Sequence, residues 1–169
     1  MAADEIRALS ELLAADPQSL VFIPLAEALL ARGDLTNAAS VAQRGAARHP
    51  NRTEAHDLVA RIALAQGDEA RAETAWESVL ALDPLFGTAH RGLGLVRYRQ
   101  GRLEEALQHL AQAAHEDPAD EPVRAALDAV RQVVRARANA PAPPRRASGQ
   151  IAAVASSADP DTEPAGASA

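Results

Sequence analysis

Apolar side chains along this chain fall into helical stripes, and the same arrangement of stripes returns three times. In residues 19–52 the first stripe is Phe22-x-x-Leu25-Ala26-x-x-Leu29. In 53–86 it is His56-x-x-Val59-Ala60-x-x-Ala63, and in 87–120 it is His90-x-x-Leu93-Gly94-x-x-Arg97. Spacings of 3, 4 and 7 place these residues on one side of a helix. A second stripe follows in each unit, marked by Ala38 and Ala42, Ala72 and Trp76, Ala106 and Leu110. Gly33, Gly67 and Gly101 separate the two stripes at intervals of 34 residues, and Pro17, Pro50, Pro84 and Pro118 close the units at intervals of 33, 34 and 34. A fixed period of this length predicts a stack of small identical units rather than one closed globule. Each unit predicts two antiparallel helices. The glycine ends the first by taking a left-handed conformation that side chains disfavour. Asp34 and Asp68 stand where a side chain can cap the next helix. The proline, lacking an N–H and restricting its predecessor, ends the second.

The stack is expected to have special ends. Residues 4–15 read as a lone helix with Leu9, Leu12 and Leu13 turned inward. Residues 121–137 read as a capping helix, with Val123, Ala126, Leu127, Val130 and Val134 on one face and Glu121, Arg124, Asp128, Arg131 and Arg135 on the other. That makes eight helices over 4–137. Pro24 falls near the start of the first unit's first helix, where the first-turn N–H groups are unpaired in any case. From 138 the composition turns to Ala, Pro and Ser, with Ile151 and Val154 the main large apolar residues. Such a segment has too little apolar surface to offset the entropy of ordering, so 138–169 reads as a disordered tail.

The spacing and the Ala, Gly and Pro positions over about residues 5–135 resemble the tetratricopeptide repeat, whose pattern is W-x2-L-G-x2-Y…A-x3-F…P at period 34. Phe22 and Trp76 fit its aromatic positions; His56, His90, Ala42, Leu110 and Arg97 depart from them. The resemblance implies an all-α, right-handed superhelical solenoid of three hairpins, repeats 19–52, 53–86 and 87–120. It also implies a concave groove lined by the first helices. In this register the groove would show Leu20, Ile23, Glu27 and Leu30 from the first repeat, Glu54, Asp57, Arg61 and Leu64 from the second, and Thr88, Arg91, Leu95 and Tyr98 from the third. Arg61 has a competing role, pairing with Asp57 on its own helix. One subfamily holds a chaperone's C-terminal carboxylate through Lys, Asn and Arg. The matching positions here are Ile23, Glu27, Leu58, Thr88 and Gly92, which lack that donor chemistry. The implied function is a non-catalytic adaptor for another protein.

Charge adds an alternative. The net charge is −6, yet six arginines (Arg124, Arg131, Arg135, Arg137, Arg145 and Arg146) stand between 124 and 146 against Asp128 alone. This basic patch reads either as the solvated face of the cap or as an attachment to an anionic surface or acidic partner. The solvated face is the reading preferred, over nucleic acid or membrane. Arg145-Arg146-Ala147-Ser148 has the form of a basophilic kinase site. Every basic residue is arginine, as in a GC-rich bacterial genome. There is no cysteine, which excludes disulfides, Cys-ligated zinc and thiol nucleophiles. No apolar run suggests a signal peptide or membrane span, and a cytoplasmic location is expected. His56 and His90 hold the same repeat position and read as packed rather than metal-binding; His109 and His115 are six apart and share no helix face; His49 sits at a helix end. Gly92-Leu93-Gly94 lies within a helix and Glu104-Glu105 at an exposed helix start. No phosphate loop, triad or metal cluster is legible, so neither enzyme nor cofactor is expected.

Overall fold

The computed structural model describes residues 2–139. The expected tail disorder, the Arg145–Ser148 motif, Arg145 and Arg146 lie outside the described residues. Among those described there are eight helices and no strand: α1 Ala2–Ala15, α2 Phe22–Ala31, α3 Leu35–Arg48, α4 Thr53–Ala65, α5 Glu69–Leu82, α6 Gly87–Arg99, α7 Leu103–Glu116 and α8 Glu121–Ala138. They form one compact unit that ends at Ala138. Three hairpins, α2–α3, α4–α5 and α6–α7, follow one another, with α1 packed before the first and α8 after the last.

The punctuation read from the sequence has a physical basis in each hairpin. Gly33, Gly67 and Gly101 take φ of 81°, 82° and 75°, the left-handed region that ends a helix without a Cβ penalty. Asp34 accepts the Asn37 N–H and Asp68 the Arg71 N–H, capping α3 and α5. Arg102 holds the third such position and makes no side-chain cap. Pro50, Pro84 and Pro118 each come two residues after the last residue of a second helix. Pro24 is the third residue of α2, inside the first turn, so no helical bond is lost to it.

The core is a row of three apolar clusters. The first joins Phe22, Leu25, Leu29, Val41, Leu58 and Ile62; the second centres on Trp76, Val79, Leu93 and Val96; the third joins Leu103, Leu110, Val123, Leu127 and Val130. Each cluster takes residues from adjoining units, so no hairpin completes its core alone. Small residues set the helix spacing: Ala26, Ala38, Ala60, Ala72 and Ala106 are fully buried.

Two expectations about packing need correction. On α1 the inward stripe is Ile6, Leu9 and Leu13, at spacings of 3 and 4, and these pack on the first cluster. Leu12 lies one helical step from Leu13 and is 56% exposed. Leu20 is not on the first hairpin's first helix. It precedes α2, in a turn stapled by the Ile23 N–H donating to the Leu20 carbonyl.

Candidate functional site

The first helices of successive units touch one another, α2 against α4, α4 against α6 and α6 against α8. They form a continuous wall on which the expected groove residues can be placed one by one. At the N-terminal end, Ile23 and Leu30 are half-buried against the first cluster and Leu20 is exposed in the preceding turn. Glu27 does not stand free. Its Oε1 accepts from Arg61 Nη2 at 2.8 Å, across one full repeat. Arg61 also lies 3.3 Å from Asp57 Oδ2, the same-helix pair expected for it. The same-helix pair read for Arg61 is therefore extended by a second one, with Glu27, into an ion-pair chain that ties α2 to α4.

Asp57 is turned inward rather than outward. It is only 7% exposed, and its Oδ1 accepts the Trp76 indole N–H at 2.9 Å. Burial pushes this carboxyl above its ordinary range, while the Trp76 bond and the Arg61 charge work the other way. The pair fixes α5 against α4 from within. Trp76 in turn lies against Gly92 of α6, where a Cβ would collide with the indole. Gly92 is thus a seat for a ring, whereas Gly94 lies against Leu110.

The C-terminal end of the wall differs. Arg91, Leu95 and Tyr98 lie on α6 at i, i+4 and i+7, one face of the helix. Leu95 is half-buried against the third cluster. Tyr98 is 36% exposed. Arg91 donates to Asp120 at 3.0 Å and keeps nearly half of its side chain exposed. Here Leu95, Tyr98 and an Arg91 guanidinium paired with Asp120 share one helix face.

The basic residues of the cap are spread along α8. Arg124, Arg131, Arg135 and Arg137 are exposed, and Arg131 pairs with Asp128 at 3.3 Å. Among the described residues no group of three or more His, Asp or Glu is arranged to hold a metal ion. No described helix is long and apolar enough to cross a membrane.

A second polar cluster was not legible in the sequence. Arg97, read as a misfit in the third stripe, is 9% exposed and reaches Glu73, Glu77 and Glu105 at 3.2, 2.8 and 3.1 Å. Arg102 spans Glu73 and Glu105 at 2.6 Å each. Glu105 is consequently not a free acid at an exposed helix start. The Arg102 bond, with Arg97 nearby, holds its carboxyl below the ordinary range. Burial works to raise Glu73, but bonds from Arg102, Gln100 and Arg97 outweigh it and hold that carboxyl low as well. His109 and His90 complete the cluster. The only sequence trace was their separation of 19 residues, the same as that of Asp57 and Trp76, which also bridge a hairpin.

Residues 58–121 and 20–44 each match the tetratricopeptide repeat family. No curated protein matches by sequence. Among solved structures, the chain is similar to MamA, at TM-score 0.70 and 19% identity over 79% of this chain and 78% of that one. It is similar to the first TPR of Spaghetti (RPAP3) bound to the HSP90 peptide SRMEEVD, at TM-score 0.66 and 18% identity over 70% and 94%. It is also similar to TTC0263, a thermophilic TPR protein of Thermus thermophilus, at TM-score 0.64 and 24% identity over 75% and 71%.

Proposed function

The chain belongs to the tetratricopeptide repeat family, and from that premise we propose that it is a non-catalytic adaptor that binds a segment of another protein along its first-helix wall. The observation that carries this reading is the unequal state of that wall. Its N-terminal half is occupied by the internal chain Glu27–Arg61–Asp57–Trp76. Its C-terminal half holds Arg91, paired with Asp120 yet nearly half exposed, and Tyr98 beside Leu95. A guanidinium can make forked bonds to a carboxylate, and a tyrosine offers apolar area with a polar tip. The ligand segment that suits them has an acidic residue next to an apolar one. A similar fold binds a peptide with both features, the HSP90 segment SRMEEVD.

The chaperone-carboxylate mode does not carry over to this chain. Leu58 and Gly92 are buried, Ile23 is packed on the core, and Glu27 is an acid already engaged by Arg61. The test is Arg91→Ala with Tyr98→Ala, measured against the partner recovered by affinity pull-down. The expected result is at least a tenfold loss of affinity, about 1.4 kcal/mol, with helical circular dichroism preserved. Unchanged affinity, with binding abolished by removing Arg145 and Arg146, would replace the groove by the basic segment as the binding element.

A further inference from the structure

The two histidines between α6 and α7 form a hydrogen-bonded chain whose proton positions can be assigned from both ends. At one end Arg97 Nη1 lies 2.7 Å from His109 Nε2. A guanidinium only donates, so that nitrogen must accept, and the His109 proton sits on Nδ1. His109 Nδ1 is 2.9 Å from His90 Nδ1, which must then accept in turn. The His90 proton therefore sits on Nε2, which lies 2.9 Å from the Pro84 carbonyl. A carbonyl only accepts, so the assignment reached from the arginine end is the one the carbonyl end requires. Every ring nitrogen is used, and no position remains for another proton. Adding one to His109 Nε2 sets it against the Arg97 N–H, and adding one to His90 Nδ1 sets it against the His109 N–H.

We propose that this chain of neutral rings is an acid-sensitive joint, which holds α7 against α6 and α5 at neutral pH and loosens the third hairpin as His109 takes up a proton. The charges around it come from every neighbouring element. Glu73 and Glu77 face it from α5, Arg97 from α6, and Arg102 and Glu105 from the start of α7. On α4, Arg61 and Asp57 are engaged with Glu27 and Trp76, and before α8 Asp120 is engaged with Arg91. Glu105 and Glu73, both engaged by Arg97 and Arg102, favour an imidazolium at His109, but they are outweighed. Burial, then the Arg97 charge and His90, hold His109 down at about 4 against an ordinary 6.5. A depressed folded value means that this contribution is fully present above about pH 6.5 and is lost as pH falls toward 4. Glu73 and Glu105 are held below their ordinary 4.5, so they take up protons under more acid conditions.

The test uses the full chain. Long-range proton–nitrogen correlation NMR near neutral pH should show the uncommon Nδ1–H tautomer for His109 and the Nε2–H tautomer for His90. The melting temperature should then fall by several degrees between about pH 6.5 and about pH 4.5. Most of that fall should vanish in His109→Ala, which copies Ala75 at the same position one repeat earlier. It should vanish likewise in His109→Val, which copies Val41 at the same position two repeats earlier, so that one variant suffices if the other does not fold. An Nε2–H tautomer at His109, a titration of His109 near 6.5, or an acid loss unchanged in either folded variant would overturn the proposal.

Discussion

Gly92 owes its identity to the ring beside it. A Cβ at this position would enter the Trp76 indole, and one at Gly45 would enter the Phe22 ring. Both glycines are helical, so the need is for space and not for an unusual backbone. Gly92→Ala is expected to destabilise the chain by about 1–3 kcal/mol through overpacking, read as a lower denaturant midpoint with an unchanged slope. A neutral result would mean that Trp76 has another place to go, and the Asp57 bond to its indole would not hold as described. Arg97 and His90 show how a residue type misleads when read singly. Both stand where the repeat pattern has aromatics, and both look like defects in a stripe. In the folded chain Arg97 gathers three carboxylates, and His90 bridges a proline carbonyl and a second histidine. The carboxylates and the second histidine come from other helices, so spacing along one helix could not have announced them.

The helix hairpin is the unit in which local signals were sufficient. Its turn glycine, in all three hairpins, and its capping aspartate, in the first two, act over four residues or fewer, and they work as their chemistry demands. Its close crossing rests on alanines. Ala72 is fully buried where α5 packs on α4, the pair that Asp57 and Trp76 also join. Ala72→Leu would push side-chain atoms between two backbones and is expected to cost about 1–3 kcal/mol, measured by thermal unfolding. No loss of stability would place the crossing elsewhere. Leu12 and Leu20 mark where the local reading weakened, at the ends of elements. A stripe of three leucines admits two neighbouring faces, and only the packing of α1 on the first cluster chose Ile6, Leu9 and Leu13.

Across the whole array the apolar clusters supply cohesion and ion pairs tie unit to unit. Arg61 to Glu27, Arg91 to Asp120, Arg97 and Arg102 to Glu73, and Arg99 to Glu69 each join different elements. Exposed pairs of this kind contribute little singly. Glu73 differs, because one half-buried carboxylate serves two arginines. Its carboxyl is held low when folded, so its contribution is present above the ordinary 4.5 and is lost as pH falls through the lower folded value. Glu73→Gln should therefore lower the melting temperature at neutral pH and flatten its acid dependence below about pH 4.5. If the acid limb keeps its slope, other carboxylates carry the dependence.

The sequence by itself determined the period, the number of hairpins, their turns and caps and the family they belong to. Each of these rests on backbone geometry and side-chain size, which act between near neighbours and repeat wherever the residues repeat. Only the tertiary structure decided which wall residues remain available. Glu27, Asp57 and Arg61 read as three groove residues, but they join into one internal chain because successive first helices bring residues 34 positions apart into contact. The pairing of His90 with His109 was decided there too. A hydrogen bond depends on tenths of an ångström and on direction, and those are set only when separately formed helices pack.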